Sequence, residues 1–202
     1  MARIPLALLP RRLAAAILLA GAIAAGEAVA QAPQPPAAGE DAARARELDA
    51  LFAALKAAKD EGEGDVIVAR IWQAWQKSGD AELDAKMEQA ILVMGHAPAL
   101  CLPILDELVE KRPRWAEAWN KRATALYLVG QHDRSLADID RVLALEPRHF
   151  GALAGLGLIR MQRGEAREAL AALRRALAVN PFLKERLHLI PELEKQLGKK
   201  PI

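Results

Sequence analysis

Four histidines, one cysteine and a scatter of carboxylates are what this chain of 202 residues offers for acid–base, nucleophilic or metal chemistry. His96, His132, His149 and His188 are never paired at the short spacing that sets two ligands on one helical face, and three of them fall at turns. They are expected to be caps or surface residues. Ser78, Ser135 and Thr124 make up the whole hydroxyl inventory of serine and threonine, and Ser78 suits a helix end while Ser135 suits a small packing position. Asp133, Asp138 and Asp140, with Glu107 and Glu110, lie in charge runs of the kind that form solvated helix faces. Gly151, Gly155 and Gly157 resemble a phosphate loop, but no strand precedes them, so close helix packing explains them better. Trp72 with Trp75, and Trp115 with Trp119, have core spacing. A lone Cys101 between Leu100 and Leu102 predicts a buried, inert thiol and no internal disulfide. The chain is therefore predicted to be no enzyme, with no metal and no cofactor.

The elements that carry these residues follow a ruler. Proline recurs at Pro113, Pro147 and Pro181, and glycine at Gly62, Gly130, Gly164 and Gly198 in the same 34-residue period, with His96 in the phase between. That is the length of a helical hairpin that cannot bury its own apolar face and must stack on its neighbours. The prolines should close the second helix of each unit at Arg112, Glu146 and Asn180. Gly130 and Gly164 sit where first helices turn back, a place that often needs positive φ.

Helix pairs are predicted at Glu47 to Asp60 with Asp65 to Lys77, Ala81 to Met94 with Pro98 to Lys111, Trp115 to Val129 with Asp133 to Leu145, and His149 to Arg163 with Ala166 to Val179. A ninth, polar helix from Leu183 to Leu197 would cover the open end. No stretch alternates as a strand does, so the fold class is all-α, a superhelix of stacked pairs.

Arg3, Arg11 and Arg12 precede an apolar run from Leu13 to Ala25, and Ala28-Val29-Ala30 leads to Gln31. This pattern predicts a signal peptide over 1–30, cleaved between Ala30 and Gln31, with retention as an anchor the alternative. Cleavage removes three arginines and one glutamate from the 28 basic and 26 acidic residues, leaving a formally neutral chain. Such a chain lacks the cationic excess that nucleic-acid binding requires. No membrane span would remain after cleavage. Neither Asn120 nor Asn180 begins a glycosylation triplet, which together with the signal layout points to a bacterial periplasmic or secreted protein. Prolines at 33, 35 and 36 make residues 31–43 a flexible linker.

The residues of the two later units resemble the tetratricopeptide repeat. Ala116-Glu117-Ala118-Trp119, Leu126-Tyr127, Gly130, Ser135, Ile139, Val142 and Pro147 carry one unit. Leu153, Leu156-Gly157, Gly164, Ala169, Leu173, Ala176 and Pro181 carry the next. The match covers 114–181 well, leaves 44–113 as two divergent repeats, and leaves 182–202 as a capping helix and tail. Arg122 and Ala123 stand where the family has Leu-Gly.

The resemblance implies a protein-interaction scaffold whose first helices line a concave groove for a peptide or helix of another protein. Carried over residue by residue, that groove holds Lys86, Asn120, Lys121, Thr124, Tyr127, Leu158, Met161 and His188. Asn120 and Lys121 would hold backbone or carboxylate, Tyr127 and Met161 would pack on side chains, and the cations are too few for a carboxylate clamp. The alternative is a homo-oligomer formed where apolar ends of the stack meet.

Overall fold

The computed structural model describes residues 38–198. Among them there is no strand, and the helices are α1 (Ala38–Ala57), α2 (Glu61–Trp75), α3 (Ala81–Met94), α4 (Pro98–Lys111), α5 (Ala116–Leu128), α6 (His132–Leu145), α7 (Phe150–Gln162), α8 (Ala166–Val179) and α9 (Leu189–Gly198), with a 3₁₀ turn at Lys184–Leu187. The proposed cleavage site, Ala30 and Gln31, lies outside the described residues.

Local chemistry sets the boundaries. Asp80 caps α3 by accepting from the amides of Glu82 and Leu83, and Asp60 caps α2 through the amide of Glu63. Arg112, Glu146 and Asn180 are the C-caps of α4, α6 and α8, each directly before its proline. Gly130 and Gly164 turn the chain at φ of 77° and 73°.

Two boundaries differ from expectation. The alanine-rich run after Pro36 is already helical from Ala38, so α1 enters the stretch assigned to the linker. The final helix is broken: a helix running on from Leu183 would drive the Pro191 ring into the carbonyl of Leu187. The chain instead makes a 3₁₀ turn and restarts at Leu189, which places Pro191 in a first turn, where its missing amide costs nothing.

From α3 to α9 the pairs stack in sequence, a tetratricopeptide-like solenoid. Small residues set the approach: a Cβ on Gly157 would lie 2.7 Å from Leu173 Cγ, and Ser135 fits against α5 by donating to the carbonyl of Ala123 at 2.7 Å. The first hairpin does not queue at the front of this row. It lies lengthwise along the edge where the later units begin, and its core joins Leu51, Leu55, Ile71 and Trp75 to Phe150, Leu153, Ala176 and Leu183. The reason is composition. The exposed stripe of α3 offers Glu82, Ala85, Glu88 and Gln89, a poor match for the apolar side of α2, whereas Trp115, Phe150 and Phe182 start successive units with aromatic rings.

Candidate binding groove

A cavity of about 290 Å³ opens between α5 and α7. Asn120, Ala123, Thr124, Tyr127 and Leu128 form its α5 wall, because these positions recur every three to four residues on one face. Gly151, Ala154, Gly155 and Leu158 form the α7 wall, with Ser135 and Ile139 of α6 at the floor. Gly151 and Gly155 stand one turn apart; Gly155 leaves the α7 backbone open to whatever enters, while the Trp72 indole closes the side of Gly151.

Four of the eight residues assigned to the groove from sequence, Asn120, Thr124, Tyr127 and Leu158, meet in this cavity. Thr124 Oγ1 donates to the carbonyl of Asn120 at 2.9 Å, and Tyr127 Oη accepts from Gln162 Nε2 at 2.8 Å. The other four lie elsewhere. Lys86 is tied to Glu107 and Glu82, Met161 packs toward α8 and α9, and His188 is exposed in the turn before α9. Lys121 lines no part of the cavity; its ammonium lies 3.0 Å from Glu117 Oε1 and 5.0 Å from the centre of the Trp72 ring.

At the end of the groove marked by Gly151, α2 makes a buried junction with α5 and α7. Trp75 lies flat on the His149 imidazole, centroids 4.0 Å apart, and its carbonyl accepts from Trp115 Nε1 at 2.7 Å. His149 Nδ1 caps α7 by accepting from the amide of Ala152 at 3.1 Å, so the proton sits on Nε2 and is donated to Glu117 Oε2 at 2.9 Å. Asn120 Nδ2 donates to the same oxygen at 2.9 Å. Burial by itself pushes the Glu117 carboxyl up, but the hydrogen bond from His149 and the charge of Lys121 outweigh it and hold the group below the ordinary carboxylate value.

Trp115, His149 and Leu183 are each 34 residues apart, and all three meet the first hairpin. The helix α2 thus spans the starts of three consecutive units, with Phe182 packed on Gly64 at its far end. Ion pairs of Arg148 with Asp49 at 2.6 Å, and of Lys184 with Glu61 at 2.6 Å and Asp65 at 3.2 Å, edge the contact. Sequence reasoning missed Glu117, His149, Trp72 and Trp75 as a unit. His149 is a cap, as expected, yet fully buried. The recurrence of large side chains at 115, 149 and 183 was the available signal.

Elsewhere, carboxylates of the charge runs pair with arginines. Asp138 receives both Nε and Nη2 of Arg122 at 2.8 Å, and Asp133 pairs with Arg163. The Cys101 thiol is buried against the carbonyl of Pro98, and burial raises its pKa. Among the described residues no three potential ligands gather as a metal site, and no helix is long and apolar enough to cross a membrane.

No family model matches the chain. A TPR repeat-containing protein of Rhizobium etli is 38% identical over 136 residues, covering 66% of each chain. Superkiller complex protein 3 of Homo sapiens is 26% identical over 123 residues, 61% of this chain, which spans 8% of that protein. Among solved structures, the first TPR of Spaghetti bound to an HSP90 peptide aligns with a TM-score of 0.55, covering 59% of this chain and 97% of that one at 16% identity. The chain carries the tetratricopeptide-repeat fold. In a tetratricopeptide-repeat solenoid the first helices of successive units share a face, and the α5–α7 cavity lies on that face here. The tetratricopeptide-repeat match in sequence stops short of the whole: the chain spans less than two thirds, by a narrow margin, of its Rhizobium relative's length.

Proposed function

We propose that this tetratricopeptide-repeat chain is a non-enzymatic interaction module that takes a peptide or helix of another protein into the α5–α7 groove. The observation that carries the reading is the convergence of Asn120, Thr124, Tyr127 and Leu158 on one cavity of about 290 Å³. Support also comes from the Spaghetti structure, whose similar fold is named as peptide-bound. Scaffold or adaptor work needs nothing more than such a groove on a rigid spine.

Photo-crosslinking tests it. A benzophenone side chain at position 124, exposed on the groove wall, should give a discrete protein adduct in the producing cell, and one at position 171, exposed on α8, should not. Equal adducts from both positions, or adducts from 124 that persist when Leu158 becomes Arg, would overturn the assignment.

Export to the periplasm or beyond is part of the proposal and rests on the leader read from the sequence. Mass spectrometry of the native protein should find Gln31 as its first residue; Met1 on a cytoplasmic protein would refute it. A second reading, self-assembly, is favoured by Leu92 and Leu100, which are 69% and 70% exposed on the first stacked pair. Light scattering at increasing concentration distinguishes a monomeric adaptor from such an oligomer.

A further inference from the structure

We infer that the segment recognised in the α5–α7 groove is uncharged and apolar, anchored by one hydrogen bond to Asn120, and that acidic peptide tails are rejected. This deepens the peptide-binding reading above and rests on it.

Charge argues first. Each basic side chain on α3, α5 and α7 already has a carboxylate partner: Lys86 with Glu107 and Glu82, Lys121 with Glu117 at 3.0 Å, Arg122 with Asp138 at 2.8 Å, and Arg160 with Glu165 at 2.5 Å. Lys121 directly follows Asn120 of the cavity wall. A ligand carboxylate that drew its ammonium into the cavity would pull it off the Trp72 ring and away from Glu117, and Glu117 is fully buried. Removing one partner of a buried ion pair strands the other charge away from water, so an acidic ligand would have to outweigh that loss. No charged side chain lines the cavity itself.

The walls supply the rest. Exposed Leu128 and half-buried Tyr127 and Leu158 present carbon, and burying apolar surface against them is the favourable contribution available. Asn120 is 6% exposed and lines the cavity; its Nδ2 serves Glu117, while nothing among the described residues donates to its Oδ1. An amide oxygen that no protein group serves is left as an acceptor for a ligand that brings a donor, and a peptide N–H does so without charge. The Thr124 hydroxyl donates to the Asn120 carbonyl, so it competes poorly for that role.

The test is selection followed by titration. A random dodecapeptide display library is panned on the purified chain, on Gly155→Leu and on Thr124→Lys, and the enriched peptides are resynthesised for fluorescence anisotropy. A side chain at 155 has room to start, since its Cβ would lie 3.6 Å from Ile139 Cδ1, and it then fills the cavity. Uncharged, aliphatic-rich peptides should be enriched, bind with little dependence on salt, and weaken by roughly tenfold or more on Gly155→Leu. Thr124→Lys, a surface change that adds an unpaired ammonium, should newly enrich acidic sequences.

Acidic peptides selected by the unaltered chain and lost on Gly155→Leu would overturn the charge assignment while leaving the groove as a peptide site. No enrichment at all, or peptides whose affinity both variants leave unchanged, would remove the peptide-binding reading itself. Circular dichroism of each variant separates loss of binding from loss of fold.

Discussion

The Cα of Gly151 faces the edge of the Trp72 indole so closely that a Cβ there would lie 2.5 Å from Cη2 and 3.1 Å from Cζ2. The helix α2 docks only because α7 has no side chain at that point. Gly151→Ala is therefore expected to push Trp72 outward and to destabilise the protein by about 1 to 3 kcal/mol, despite alanine's better helix propensity. Combining it with Trp72→Ala should remove most of the added cost. A double-mutant cycle in denaturant reads this coupling, and additive losses would show that the two residues do not press on each other.

Hydrogen exchange gives an independent view of the same contact. Amides of α2 should lose protection in Gly151→Ala, while those of α6 and α8 keep theirs, because the stacked pairs do not depend on the hairpin for their own hydrogen bonds. Uniform loss across all helices would mean that the hairpin and the stack fold as one unit.

The stack was legible in the sequence because its signals are local. Asp80 caps, Pro113 stops and Gly130 turns regardless of what the rest of the chain does, and α3, α4 and α8 begin and end at the predicted residues. The docking of α1 and α2 was not legible in this way. Trp72 and Trp75 announce an apolar side of α2, but nothing in their spacing says whether α3 or α7 will cover it. Contacts such as Trp75 with His149, or Glu117 with His149 across 32 positions, are decided by competing surfaces rather than by local pattern. The same limit split the groove: Asn120, Thr124 and the i,i+4 pair of Lys121 with Glu117 follow from helical phase, whereas the seat of Lys121 over Trp72 needed the hairpin in place.

Glu117 should make stability fall in acid. Its folded carboxyl sits below the ordinary value, so the unfolded chain takes up its proton first. The stabilisation is complete above the unfolded value of about 4.3 and is lost as pH drops through the lower folded value. Glu117→Gln keeps an oxygen for His149 but strands Lys121, and is expected to cost about 1 to 3 kcal/mol at neutral pH. The gap between the two proteins should narrow in acid. Urea midpoints measured from pH 7 down to pH 3 check this, and a constant gap would deny Glu117 its charge in the folded state.

Cys101 should be silent toward a thiol reagent in the native protein. Its side chain is fully buried and its pKa raised, so both access and thiolate are lacking. Modification is expected to follow the global unfolding rate as denaturant rises. Rapid labelling under native conditions would show that α4 opens locally.

Leu173 and Trp119 separate core from rim within the same stack. Leu173 is fully buried and meets Gly157 across the α7–α8 contact, so Leu173→Ala leaves a cavity that its neighbours cannot close and should cost about 2 to 5 kcal/mol. Trp119, although larger, is only half-buried, with its Nε1 donating to the Pro113 carbonyl at 3.0 Å and the Arg122 guanidinium 4.7 Å from its ring centre. Water can enter where its ring was. Trp119→Ala is therefore expected to cost less than Leu173→Ala, at about 1 to 3 kcal/mol, against the rule that larger side chains lose more. Thermal unfolding of the two variants side by side decides the order, and a greater loss at Trp119 would place the repeat core on the α5–α6 side rather than between α7 and α8.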